Sequence, residues 1–210
     1  MKNNFSLIFI LITATILFSF ITKATLNTDK LILNSLADQF TQEQIFLILN
    51  YKKKWEWLSY AFIPLFLLIK TSIIAAILDV GCFFFGKEIK YKKLFNIVLK
   101  AEFVFLLVIV YKTAWFYLFQ TDYNLEDLQY FYPLSALNII GYEGLQPWFI
   151  YPFQVLNLFE LAYWLILTYL LGKEINDTES TRGLQIVASS YGVGLLIWVV
   201  SVMFFSLNMS

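Results

Sequence analysis

Two long apolar runs, Trp57–Gly86 and Leu94–Phe119, are separated only by the charged turn KEIKYKK, Lys87 to Lys93. Each run exceeds the ~20 apolar residues needed to cross a hydrocarbon core about 30 Å thick, so the pair reads as a transmembrane helical hairpin. Composition agrees. The chain of 210 residues is 60% apolar and only 14% charged, where soluble domains sit near about 45–50% and a quarter. That leaves room for one helical bundle and no sizeable soluble domain.

Three further apolar stretches complete the expectation. Residues 5–22 follow Lys2 and form an apolar run longer than the ~7–15 residues of a signal-peptide core, so they read as an uncleaved first span. Residues 147–172 and 184–207 form the last two spans, joined by the polar turn Lys173 to Arg182. The fold expected for residues 1–210 is therefore a single all-α integral membrane bundle of five transmembrane helices, at about 5–22, 57–86, 94–119, 147–172 and 184–207. Short loops rich in Lys and Arg stay in the cytoplasm. Lys2, the Lys87–Lys93 turn, and Lys173 with Arg182 then put the N-terminus in the cytoplasm and the C-terminus outside it.

Between the first two spans lies an extracytoplasmic amphipathic segment, residues 27–56. Leu31, Ile32, Leu36 and Phe40 recur at helical spacing. Thr41 and Gln44 have the spacing of a capping box that opens a second short helix, expected to end at Lys52, Lys53 and Lys54. Beside those lysines stand Trp55 and Trp57, a pattern suited to the headgroup layer, where indole rings settle and ammonium groups reach phosphates. The patch reads as an anchor to membrane lipids or a docking face for a partner. A second connector, Gln120 to Gln146, is acidic and aromatic. Leu125 to Tyr132 is expected to be a short interfacial helix stopped by Pro133, and Gly141 and Gly144 flank a turn.

Ionisable groups at membrane depth are costly, at least ~2.5–3.5 kcal/mol at a helix centre, and mark a pathway, a partner or an internal pair. Counting 1.5 Å of rise per residue places Lys70 and Glu160 near the middle of their spans, so the two are expected to face each other. Asp79, Lys100 and Glu102 form a shallower layer, with Asp79–Lys100 as a second expected pair, and Lys112 lies close enough to its helix end to snorkel. On the fourth span Gln154, Asn157, Glu160, Trp164 and Thr168 share one stripe, which must face protein or a wet cavity because lipid cannot satisfy it. On the fifth, Ala188, Ser190, Gly192 and Gly194 allow close helix packing. These groups either fix helix register or line a pocket or pathway.

Several chemistries lack their parts. The chain has no histidine, which removes the usual base of serine and cysteine hydrolases and the zinc protease motif. Its single cysteine, Cys82, cannot pair internally and suits a packing role. A formal net charge of zero gives no basis for nucleic-acid binding. No metal, cofactor or enzymatic activity is expected.

The hairpin from Ile73, with ILDVGCFFFGKEIKYKKLFNIVLKAEFVFLL within it, and the final stretch LAYWLILTYLLGKEINDTESTRGLQIVASSYGVGLLIWVV resemble the Yip (Ypt-interacting-protein-like) family of multi-spanning membrane proteins and its bacterial relatives. The resemblance lies in hydropathy pattern, and the third span lacks a proline common there in relatives. It implies a non-enzymatic protein of a bacterial cytoplasmic membrane that acts through partners. The function expected is a subunit or scaffold of a membrane complex, alone as a homo-oligomer or with a second membrane protein. The alternative is a small transporter component with Lys70, Glu160, Asn157 and Gln154 along its route.

Overall fold

The structure, a computed structural model, describes residues 2–37, 40–176 and 181–209. The middle of the polar turn before the last span, residues 177–180, lies outside them. Every long element is a helix: α1 (Lys2–Thr25), α2 (Thr28–Ala37), α3 (Gln42–Phe84), α4 (Tyr91–Ala101), α5 (Val104–Leu118), α6 (Leu125–Tyr130), α7 (Ala136–Ile140), α8 (Pro147–Val155), α9 (Leu158–Glu174), α10 (Thr181–Val187) and α11 (Val193–Met209), with a π-helical turn, Ala188–Gly192, between the last two.

Among the described residues four helical stretches are long and apolar enough to cross a membrane, not five: Phe5–Thr25, Gln42–Phe84, Tyr91–Leu118 and Thr181–Asn208. The expected fourth span fails as a continuous helix because it breaks at Leu156 and Asn157, leaving α8 and α9. Seventeen residues in α9 give a rod of about 26 Å, short of a hydrocarbon core. Many outward-facing side chains on the long helices are apolar, among them Phe83, Leu165 and Leu196. So large an exposed apolar surface suits lipid and not water.

Local signals account for the helix starts. At α3 the Gln44 amide donates to Thr41 Oγ1, and the Thr41 amide donates to Gln44 Oε1 at 3.0 Å, completing the expected capping box. Asn124 and Asp127 make the same reciprocal pair at α6. The helix opened at Thr41, however, does not stop at Lys52–Lys54. It continues to Phe84 as one helix of 43 residues, because Lys, Trp, Glu and Leu all favour or tolerate helix and no breaker separates them. At 1.5 Å per residue it is about 64 Å long, and it runs uninterrupted through Pro64.

The core gathers where α3, α4, α9 and α10 meet. Leu78, Leu94, Val98, Leu167, Leu171 and Ile186 are fully buried there, with Cys82 packed among them. On α4 the buried positions Leu94, Ile97, Val98 and Ala101 follow i, i+3, i+4, i+7, the stripe of an amphipathic helix. Small residues permit the closest approaches. A Cβ on Gly81 would lie 2.6 Å from Ser190 Cβ, and one on Gly183 2.8 Å from the Thr168 carbonyl. Away from the core, α1 leans on α5, where the Thr22 and Thr113 hydroxyls hydrogen-bond.

Candidate functional site

The intramembrane carboxylates form two centres of different kinds. Glu102 sits at the junction of α4 and α5, where one turn tightens: the Phe105 amide donates to the Glu102 carbonyl and the Leu106 amide to that of Phe103. Only 5% of the residue is exposed. Lys70 Nζ from α3 donates to its Oε2 at 2.9 Å, and the Tyr163 hydroxyl from α9 donates to its Oε1 at 3.1 Å. The Lys70 ammonium also lies 4.0 Å above the Phe105 ring, a favourable place for a cation. Both oxygens of Glu102 are thus occupied by fixed donors.

The expected Lys70–Glu160 pair does not form, because Lys70 is taken by Glu102. Nor do Asp79 and Lys100 pair; both are exposed. The reason lies in the turn. The Tyr91 hydroxyl donates to the Ser72 carbonyl at 3.1 Å, so the extended segment after Gly86 leads back along α3 before α4 begins. Depths counted as if the hairpin were simply antiparallel are therefore out of register. Lys112 does not reach a free surface either: it donates to the Leu128 carbonyl at the end of α6.

Glu160 stands in the first turn of α9. Its Oε1 accepts from the Tyr191 hydroxyl at 2.6 Å and from Trp164 Nε1 at 3.0 Å. No hydrogen bond to Oε2 is present among the described residues. Tyr191 reaches this carboxylate from the π-helical turn, whose extra residue shifts the register of the last span. Such single-turn insertions are frequent at functional sites. Of the small residues expected to pack closely, Ser190 and Gly192 are buried against Gly81 and Trp164, Gly194 approaches Ile77, and Ala188 faces outward.

The helix break that sets Glu160 in place is built from side chain and backbone together. Asn157 caps α9 by accepting from the Glu160 amide at 2.8 Å, and its own amide group donates to the carbonyls of Gln154 and Val155. Backbone groups freed by the break are taken up by the connector, since the Ala136 amide donates to the Leu156 carbonyl and the Leu158 amide to that of Leu134. The resulting antiparallel bridge, Ser135 with Asn157, satisfies irregular backbone without water, as membrane depth demands. It holds Leu134 at φ 52°, a left-handed conformation that costs a non-glycine residue about 1–2 kcal/mol. The expected polar stripe on the fourth span is divided by this break. Gln154 turns to the Tyr130 carbonyl, Asn157 caps, Glu160 bonds Tyr191, and buried Thr168 has no partner for its hydroxyl.

Beside the break lies a cavity of about 740 Å³. Its walls are apolar and aromatic, with Tyr111, Trp115, Phe131 and Trp164 among them, and Glu160 is the one charged residue lining it among those described. Ser135 also lines it, is 2% exposed, and has an unpartnered Oγ. The rim residues Leu156, Leu158 and Leu161 are exposed, so the cavity opens on the apolar flank of the bundle.

A second candidate surface is the arm of α3 preceding Trp57. Lys52 is tied back to Asp29 at 2.6 Å, and Lys23 bridges Asp29 and Glu56. The Lys52 ammonium holds the Asp29 carboxyl below its ordinary range. Lys53 and Lys54 stay exposed, as do Phe46, Tyr51, Trp55 and Trp57.

Tyr163, Tyr191 and Ser135 escaped the sequence reading. A tyrosine within an apolar helix counts as a hydrophobic residue, although a buried phenol needs a partner. Tyr163 bonds Glu102, 61 positions away in the chain, and Tyr191 and Ser135 likewise reach their places only through tertiary folding, so local spacing held no signal for them. No family model matches the chain, and neither a curated protein nor a solved structure matches it.

Proposed function

We propose that this chain is a non-catalytic integral membrane protein of a bacterial cytoplasmic membrane, acting as a subunit or scaffold of a membrane complex in the manner implied by its Yip-like pattern. The carrying observation is the length of α3. Twice a hydrocarbon thickness, it has more helix than any crossing needs, and the surplus carries Lys53, Lys54 and an exposed aromatic face. Exposed rings interleaved with cations are a composition suited to partner recognition at the headgroup layer.

In this reading α8 and α9 together make the fifth crossing. The support is that α9 packs on α10 and α8 on α11, and that Trp198 Nε1 on α11 donates to the Tyr151 hydroxyl on α8. The broken pair therefore accompanies the unbroken final span along its length. Five crossings with the lysine turn in the cytoplasm put the N-terminus inside and the C-terminus outside. The transporter alternative has less support, since Lys70 closes on Glu102 and Gln154 on Tyr130 and neither lines a route shared with Glu160.

Replacing Lys53 and Lys54 together by Glu tests the proposal. Native electrophoresis of gently solubilised membranes should lose the high-mass species while the monomer still inserts. An unchanged assembly in the charge-reversed chain refutes the docking role.

A further inference from the structure

The cavity beside Glu160 is a finished site with an open valence. Its carboxylate receives two donors on one oxygen and none on the other. Lys70, the nearest basic residue on the core helices, is already committed to Glu102. A carboxylate in an apolar wall attracts a cation far more strongly than it would in water. The same wall is aromatic, with Tyr111, Trp115, Phe131 and Trp164 along it, and aromatic rings are compatible with an ammonium group nearby.

We infer that this cavity binds a single-tailed amphiphile with a primary ammonium head. The head donates to Glu160 Oε2, and the tail leaves past Leu156 and Leu161 toward lipid. The size suits a small molecule: about 740 Å³ falls within the roughly 300–1,000 Å³ of ligand cavities. The strained backbone at Leu134, held beside the cavity by the Ser135 bridge, marks the wall as specified and not incidental, as is common at binding sites. This inference does not rest on the docking arm and survives its failure.

The probe is a long-chain primary alkylamine carrying a nitroxide on its tail, compared with the alcohol and the carboxylic acid of equal length, each added to the full chain in nanodiscs of zwitterionic lipid. Trp115 and Trp164 line the cavity and report by quenching. The amine should saturate at one per chain and bind at least tenfold more tightly than either analogue. Glu160→Gln should erase that preference. Should Glu160→Gln fold poorly, Leu161→Trp plugs the mouth from an exposed position with Glu160 intact, and it should weaken the amine to the level of the alcohol. Equal affinity of all three probes for the unaltered chain overturns the inference. So does amine binding that neither substitution changes.

Discussion

Glu102 and Glu160 are the same residue in the same bundle, yet their surroundings assign them different work. Glu102 is sealed, with each oxygen bonded to a donor from a different helix, and it joins α3, α4 and α9 at one point. Glu160 has two donors crowded on one oxygen and a cavity beside the other. A carboxylate whose oxygens are both matched is a fastener. One that is half matched, in a cavity wall with no other charged residue among those described, is an invitation. The number and placement of donors therefore distinguish structural from binding charges here, and depth in the membrane does not.

The sharpest way to break this contrast is to remove the fastener. Glu102→Leu leaves Lys70 without its counter-charge and should cost about 3 kcal/mol, read as detergent-resistant folding. Adding Lys70→Met should restore most of the loss, and a double variant no better than the single would end the fastener reading. Next in size is Gly192→Ala, whose Cβ would lie 2.5 Å from the Trp164 ring. Overpacking of this kind costs about 1–3 kcal/mol and should displace Trp164 from Glu160, which the indole fluorescence reports. Glu160→Gln should change stability by less than about 1 kcal/mol, because an amide oxygen still accepts from both donors; a loss equal to that of Glu102→Leu would erase the distinction.

The aqueous arm supplies a control. The Asp29 carboxyl is held below the ordinary value of about 3.9, chiefly by its hydrogen bond from Lys52. The contribution of this tie is complete above about pH 4 and is lost as pH falls through the lowered Asp29 value. Spin labels on α2 and α3 should separate over that window. The smallest effect belongs to Asp79 and Lys100, which do not touch: the coupling between Asp79→Asn and Lys100→Gln should stay within about 0.5 kcal/mol, the level of independent sites.

Features governed by near neighbours in sequence were the legible ones. The capping box at Thr41, the short helix α2, the interfacial helix at Leu125 and the glycine turn at Gly141 each depend on a few adjacent residues. The helix expected to end at Lys54 did not, because the change from polar to apolar surroundings marks a membrane edge, and backbone hydrogen bonding takes no notice of it. The break at Asn157 was hidden for the opposite reason. Its polar residues read equally well as one stripe of an intact helix, and what decides between the two is a bridge to Ser135, far away in the chain. Pairing of charges was least legible of all, since depth is countable along a helix whereas rotation and hairpin register are set by packing.

The unbroken course of α3 has a mechanical meaning. A helix resists stretching and twisting, so a push or turn applied near Lys53 travels down the rod toward Lys70. There α3 is fastened through Glu102 to α4 and through Tyr163 to α9, the helix that carries Glu160. Pro64, between Lys53 and Lys70, lacks an amide hydrogen, yet α3 continues through it as one helix. Whatever grips the Lys53 end of α3 would therefore hold a handle on the core of the bundle.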